Sequence, residues 1–191
     1  MELREAIRKR HSTRSFKTSK AKLRDVFGIV ESALHAPMAG NVCTLKIILV
    51  EDADQLKEIT EAAVDNSFVG EASHIIVVCS DLKQAENLYG EKGSLYNAQQ
   101  AGAAIENMLL TTEDLGLATC WVGSFDDAAV KRSLEIKDDS IRIEAILPIG
   151  YGVKSPDKQR KTSFKQVVRY NKFKIKKQEF YTDFYREKII S

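Results

Sequence analysis

The most constraining feature of this sequence is one long segment whose apolar residues follow the period of an α-helix. From Ser94 to Leu115 they recur every three or four positions along one face, at Ala98, Ala101, Ile105, Met108, Leu109 and Leu115. The run from Ala101 to Ala104 contains only alanine and glycine, so neighbouring elements can approach the helix closely. The pattern therefore predicts a long central helix with other elements packed around it.

Shorter segments with helical or strand periodicity surround this helix. We predict helices from Leu3 to before Ser12, Leu23 to Ala36, Asp54 to Val64 and Asp127 to Leu134, and strands near 46–50, 74–79, 118–122 and 141–148. Because helices and strands alternate irregularly, this order favours an α+β fold with a mixed sheet over a doubly wound parallel sheet. The 191 residues contain no linker, which predicts one domain.

The spacing of reactive residues argues against several function classes. The three cysteines have no CxxC spacing and the three histidines fit no HxH or HExxH pattern, so we expect neither disulfides nor a metal site. No apolar run approaches the ~20 residues that span a bilayer, and no signal-peptide core is present. We therefore expect a cytoplasmic protein without a membrane partner. Missing P-loop, GxGxxG and GxSxG motifs remove support for classical nucleotide folds and for acyl transfer.

The near-neutral net charge of +2 hides two basic ends around an acidic middle. Residues 1–24 carry +7, residues 25–153 carry −13 and residues 154–191 carry +8. Between Arg8 and Arg14, four fixed cations and two hydroxyls follow a short helix, which suits the oxygens of a phosphate group. By composition alone, a solvated basic loop is the favoured interpretation of this segment.

Further segments, in the same order and at the same separations, together resemble the FMN-dependent nitroreductase family over nearly the whole chain. They are Arg10–Phe16 (R-x-S-x-R-x-F), Ala36–Asn41 (A-P-S-A-x-N), Asn97–Leu117, Cys120–Phe125 (C-W-x-G-x-F), Pro148–Gly152 (P-I-G-Y-P) and Lys158–Lys161 (K-x-R). The resemblance implies a mixed, mainly antiparallel sheet flanked by helices, with a central helix and an extended C-terminal arm.

The resemblance also implies a set of FMN-binding residues. For the phosphate these are Arg10, Ser12 and Arg14, flanked by His11, with Arg160 or Lys161 from the other end of the chain; the choice among Lys158, Arg160 and Lys161 stays open. For the flavin ring they are Asn41, the residues Pro37, Met38 and Ala39 from a partner subunit, the backbone at Gly123 and Ser124, and Gly150. Basic residues at both ends of the chain would offset the cost of burying a phosphate beside an acidic domain.

The sequence departs from the family pattern around the predicted ring site. Met38 stands where the family has Ser, Cys43 where it has Gln, and Thr44-Leu45 where it has Pro-Trp. Met38 is either an apolar wall over the ring or a packing residue. For Cys43 we favour a small core residue over a redox-active thiol, and we expect Trp121 in the core.

The C-terminal segment combines aromatic and basic residues. Residues 164–185 hold seven of the chain's fifteen aromatic side chains among lysines and arginines. This combination occurs in proteins that bind single-stranded nucleic acid, but no RNP, KH or zinc-knuckle pattern accompanies it. The resemblance implies instead a homodimer, in which residues 164–191 form an arm that embraces the partner. We therefore expect no nucleic-acid partner.

The resemblance implies an NAD(P)H-dependent FMN oxidoreductase. It would accept hydride from NADH or NADPH and pass two electrons to a nitroaromatic, a quinone or a similar acceptor by a ping-pong mechanism. No side-chain acid or base is expected to be catalytic, because the cofactor carries the redox chemistry. Alternatives on the same fold are reductive dehalogenation, flavin breakdown, or flavin binding without catalysis.

Overall fold

The computed structural model describes residues 1–153, 162–169 and 171–173. The chain divides into two units, Met1–Pro156 and Asp157–Ser191. The second unit contains the predicted arm, and its described helix is a single turn, Phe164–Val167. The expectation of one domain with a partner-embracing arm stays a prediction.

Helices and short strands of the first unit follow the predicted order. The helices are α1 (Leu3–Lys9), α2 (Leu23–Ala33), α3 (Ala53–Ala62), α4 (Leu82–Tyr89), α5 (Gly93–Asp114) and α6 (Asp127–Ser133). The strands are β1 (Leu45–Val50), β2 (His74–Asp81), β3 (Ala118–Thr119) and β4 (Ile141–Gly150). Three 3₁₀ turns lie between them, at Ala39–Asn41, Ser67–Glu71 and Gly90–Lys92.

The four strands form one sheet in the order β1-β2-β4-β3. All three strand pairs among the described residues are antiparallel. In the centre of the sheet, Ile76 lies opposite Leu147, and a bulge between Val78 and Cys79 shifts the register. The α+β class and the mainly antiparallel sheet are confirmed.

The sheet separates two apolar layers. On one face α2 and α5 pack against β2 and β4, with Ile29, Met108 and Leu147 fully buried. On the other face α3 and α6 cover the sheet, with Ile59 and Ile146 fully buried. Each such side chain contributes roughly 1.5–3 kcal/mol. The central position predicted for the long helix is confirmed, because α5 lies in the middle of the first layer.

Two helix predictions need correction. Helix α4 was not predicted, because only Ala85 of its eight residues is buried and the apolar period is too short to detect. Its signal was the cap, in which the Asp81 carboxylate accepts from Gln84 N at 2.8 Å. Helix α2 ends at Ala33 instead of Ala36, because the chain tightens into three-residue bonds such as Ala36 N to Ala33 O before the proline.

Two predicted core residues lie at the surface. Trp121 is 42% exposed and Cys43 is exposed, so the core interpretation of both is wrong. The predicted strand over 118–122 is correspondingly short. After Thr119 the chain leaves the ladder, and only Val122 returns to pair with Ile146.

Candidate functional site

The predicted phosphate-binding loop wraps around the edge of the sheet at β3. Helix α1 ends at Lys9, and the amide of Arg10 still donates to Ala6 O at 2.8 Å. Three residues later, Thr13 N donates to Thr119 O at 2.9 Å and thereby fixes the loop to β3. Thr13 is buried, whereas Arg14 is exposed. The loop therefore has a fixed backbone and a polar outer surface.

Three predicted phosphate ligands converge on one buried thiol. Burial raises the pKa of Cys120, while Arg14, a hydrogen bond with Ser12 and Arg10 act in the opposite direction. Both guanidinium groups and the Ser12 hydroxyl therefore favour negative charge at this thiol, which follows β3 in the chain. The Arg10 Nε atom lies 3.9 Å from Glu106 Oε1, too far for a tight ion pair, so most of its donors are available to another anion.

His11 shapes this loop from within. Its Nδ1 is hydrogen-bonded to Lys9 O at 2.9 Å and its Nε2 to Thr13 Oγ1 at 3.0 Å. Glu113 Oε2 lies 3.9 Å from Nδ1. Because both ring nitrogens already have partners, His11 adds stiffness to the loop, in line with the flanking position predicted for it.

The chain after this loop pairs with the chain after β4. Lys17 N donates to Tyr151 O at 2.8 Å, and Val153 N donates to Ser15 O at 3.1 Å. Phe16 lies on Gly150, where an added Cβ would come within 3.1 Å of the Phe16 ring. Gly150 therefore has a packing role that the sequence did not reveal, and its contact with a cofactor stays a prediction.

The segment predicted to meet a flavin ring, Pro37–Asn41, lies by the N-terminal half of α5. Tyr89, at the end of α4, donates its hydroxyl to Ala39 O at 2.8 Å. Pro37 and Asn41 are exposed, while Met38 is half-buried against the α2–α5 layer. A packing role for Met38 is thus visible, and a role as a wall over the ring stays a prediction.

A buried polar network, which sequence reasoning missed, holds the end of this segment. Thr44 donates to Asn97 Oδ1, and Gln100 Nε2 donates to Thr44 Oγ1 and, at 2.8 Å, to Asn97 Oδ1. Asn97 Nδ2 in turn donates to Asp81 O at 3.0 Å. Gln100 Oε1 is buried without a partner. The signal was the pair of amides three residues apart on a helix face that is otherwise buried.

Gly123 and Ser124 lie in an exposed loop with fixed ends. On one side Val122 exchanges two 3.0 Å backbone hydrogen bonds with Ile146. On the other side Asp126 N donates to Ala62 O at 2.8 Å, and the Asp126 carboxylate caps α6. A Cβ added at Gly123 would meet no atom within 4 Å. The loop therefore offers open backbone on a rigid support.

Thr44 and Thr119, the residues by which the two predicted segments join the sheet, contact different ends of β4. Thr119, beside the phosphate-binding loop, pairs with Ile149 of β4. Thr44 accepts from Asp81 N, and Asp81 pairs with Ile141 at the other end of β4. Eight residues of antiparallel strand span about 27 Å. Thr44, just after Pro37–Asn41, and Thr119, beside the phosphate-binding loop, therefore lie toward opposite ends of β4.

Other predicted or possible sites contribute little to this geometry. Lys158, Arg160 and Lys161 lie outside the described residues. An open cavity of about 560 Å³ lies between α3 and α6, but none of the predicted site residues line it. Among the described residues, no three potential metal ligands cluster and no helix is long and apolar enough to cross a membrane.

Known proteins are similar to this chain in sequence and in fold. The family model described as the nitroreductase family matches residues 7–66 and 60–151. An Archaeoglobus fulgidus protein named for NADH dehydrogenase or NAD(P)H nitroreductase activity is 28% identical over 174 residues, which cover 90% of this chain and 94% of the relative. A Bacillus subtilis protein named FMN reductase (NADPH) is 24% identical over 208 residues, which cover 96% and 83%. The NADPH:FMN oxidoreductase from Vibrio harveyi, solved with NAD+, has the same fold, with a TM-score of 0.81 at 20% identity over 90% of this chain and 77% of that one.

Proposed function

This chain belongs to the nitroreductase family, and we propose that it is an NAD(P)H-dependent oxidoreductase that uses FMN to reduce a nitroaromatic, a quinone or a similar acceptor. The names of its relatives support this class, since one is an FMN reductase that uses NADPH and another is an NADPH:FMN oxidoreductase. The observation that carries the proposal is the loop with Arg10, Ser12 and Arg14, which Thr13 fixes to β3 by its hydrogen bond to Thr119 O.

The residues beside β3 fit the phosphate of FMN. Arg10 and Arg14 offer guanidinium forks that match phosphate oxygens, and Ser12 offers a hydroxyl donor. Arg14 is exposed and forms no ion pair with a described residue. A phosphate dianion therefore supplies the negative charge that the loop itself lacks. FMN, when bound, would supply the hydride-accepting and electron-donating chemistry.

The ring-contacting residues have a frame suited to a flat aromatic group. Gly123 and Ser124 present unobstructed backbone on a support fixed at both ends. Asn41 presents an exposed carboxamide, which can donate and accept hydrogen bonds. Gly123, Ser124 and Asn41 include no acidic or basic side chain, so these residues bind and orient the reacting groups. One site that serves the nicotinamide and the acceptor in turn gives ping-pong kinetics.

We propose that the complete site forms between two copies of the chain. Thr44, which follows the Pro37–Asn41 segment, and Thr119, beside the phosphate-binding loop, lie toward opposite ends of β4, which favours a site to which two copies contribute. Large apolar side chains are exposed on α1, α2 and the adjoining loops: Leu3 (65%), Ile7 (52%), Phe27 (55%), Leu34 (65%) and Trp121 (42%). Apolar surface of this extent is typical of an interface.

The described part of the arm supports the same interpretation. Val167 is 67% exposed and Phe173 is 84% exposed, and the Arg169 guanidinium lies 5.8 Å from the centre of the Phe173 ring. Apolar groups this exposed gain stability when a second chain covers them. A partner surface is therefore the proposed position of residues 164–191.

One set of measurements tests both parts of the proposal. Purified protein is expected to show a flavin absorbance band or to take up about one FMN per chain. It should oxidise about one equivalent of NADH or NADPH per FMN alone and turn over continuously when a nitroaromatic or quinone is added. Sedimentation should give a dimer, and Phe27→Glu with Leu34→Glu should give monomers that lose FMN. Failure to bind FMN under any condition would refute the enzyme, and monomers that bind FMN as tightly as wild type would refute the shared site.

A further inference from the structure

The segment predicted to meet the cofactor ring contains a turn with an unfavourable backbone conformation. Gly40 and Asn41 have consecutive positive φ values, 53° and 59°. Glycine adopts this region freely, and asparagine adopts it more readily than other residues with a Cβ, so this pair suits a tight turn. Within the turn, Asn41 N donates to Met38 O and Val42 N to Ala39 O, both at 3.0 Å.

Tyr89 supplies a contact from outside the turn. Its hydroxyl donates to Ala39 O at 2.8 Å, to the same carbonyl that accepts from Val42 N. Both lone pairs of this carbonyl are then used, which fixes the orientation of the Ala39–Gly40 peptide. A Cβ added at Gly40 would lie 2.3 Å from the Tyr89 hydroxyl oxygen, so the phenol packs directly against the turn.

Tyr89 is itself held by the corner between α4 and α5. Its ring meets the Tyr96 ring edge to face, with centroids 5.3 Å apart and planes at 77°. The two helices can approach closely because Gly93 has no Cβ. A Cβ added there would lie only 2.5 Å from the carbonyl carbon of Ala85. The hydroxyl that bonds the turn is therefore attached to the central helix α5 through packed aromatic rings.

We propose that Tyr89 is a positioning residue for the cofactor ring. It holds the Gly40–Asn41 turn through the Ala39 carbonyl and thereby sets the direction of the Asn41 carboxamide. That carboxamide is exposed and has no hydrogen-bond partner among the described residues. The inference rests on the proposed function for the identity of the ring, while the contact between Tyr89 and the turn exists in the protein alone.

The first test replaces the hydroxyl and keeps the ring. Tyr89→Phe is compared with Tyr96→Phe, whose hydroxyl has no described partner and which serves as the matched control. In FMN-free protein, Tyr89→Phe should exchange the Val42 amide hydrogen about tenfold faster. In the FMN complex it should weaken FMN binding about three- to tenfold, shift the midpoint potential and change the visible circular dichroism of the flavin. Tyr96→Phe should match wild type in all four.

A double-mutant cycle tests the geometry itself. Gly40→Ala brings a methyl against the Tyr89 hydroxyl, whereas without that hydroxyl the nearest ring atom is 3.4 Å away, an ordinary contact. The loss of FMN affinity caused by Gly40→Ala should therefore be several-fold smaller in the Tyr89→Phe background than in wild type. Additive losses would overturn the assigned contact.

The outcomes separate the two proposals. If Tyr89→Phe binds FMN with unchanged affinity, midpoint potential and circular dichroism, the positioning role is overturned. The proposed oxidoreductase function is unaffected by that result. Absence of FMN binding in wild type overturns the proposed function and, with it, the role toward the ring. Unchanged exchange of Val42 in Tyr89→Phe overturns the claim that Tyr89 holds the turn, whatever the ligand.

Discussion

Replacing Arg14 by Ala removes a cation that has no ion-pair partner among the described residues. Because Arg14 is exposed, the FMN-free protein should keep its free energy of unfolding within about 0.5 kcal/mol of wild type. The effect of the substitution should appear only as weaker FMN binding. One charge-assisted hydrogen bond to phosphate is worth about 1.5–3 kcal/mol, so the Kd for FMN should rise roughly 10- to 100-fold.

The assay is quenching of flavin fluorescence, with Arg10→Ala as a second variant and Arg24→Ala as the control. Arg24 is an exposed arginine at the start of α2, so its loss changes net charge equally. Raising salt from 50 to 500 mM should weaken FMN binding more in wild type than in Arg14→Ala, because screening acts on the lost attraction. Unchanged Kd in both loop variants, or an equal rise in Arg24→Ala, would refute the phosphate assignment.

Three further predictions concern pH, packing and thiol reactivity. Burial lowers the pKa of His74, and Glu51 acts in the opposite direction. Below about pH 6.5 the unfolded chain therefore binds more protons than the folded chain at this residue. The free energy of unfolding, measured in urea, should fall as the pH drops below that value, and His74→Gln should remove this contribution. A Cβ in Gly93→Ala meets backbone atoms of α4 within 2.6 Å, so this variant should lower the free energy of unfolding by about 1–3 kcal/mol. A Cβ in Gly28→Ala meets no atom within 4 Å, so that variant should raise it by up to about 1 kcal/mol. Equal effects of the two variants would contradict the α4–α5 packing. Burial raises the pKa of Cys79 to about 12, so a thiol reagent at pH 8 should label the exposed Cys43 and reach Cys79 only after unfolding, as mass spectrometry can measure.

The parts of the fold that follow from local periodicity were predictable. Helix α5 and strands β2 and β4 have long apolar patterns, and their bounds differ from prediction by at most two residues at each end. The proposed phosphate ligands Arg10, Ser12 and Arg14 are neighbours in sequence, so a tight loop suffices to bring them together, and their binding of a phosphate stays a prediction.

Features that depend on contacts between distant segments were not predictable. Nothing in the spacing relates Tyr89 to Ala39, and only the α4–α5 corner brings them together. The type of an apolar residue also does not predict whether its side chain is buried or exposed. Trp121 was expected in the core, yet it leaves the sheet with the chain after Thr119, because the ladder with β4 ends there.

The pairing of residues 15–17 with 151–153 also has a consequence for biosynthesis. These partners lie about 135 residues apart, so the loop that carries Arg10, Ser12 and Arg14 closes against its final neighbours only when β4 and the following residues have left the ribosome. An unfinished chain already contains the proposed phosphate ligands of its N-terminal segment. It lacks the residues whose backbone hydrogen bonds fix the position of that segment. FMN should therefore bind to completed chains and leave nascent ones unliganded.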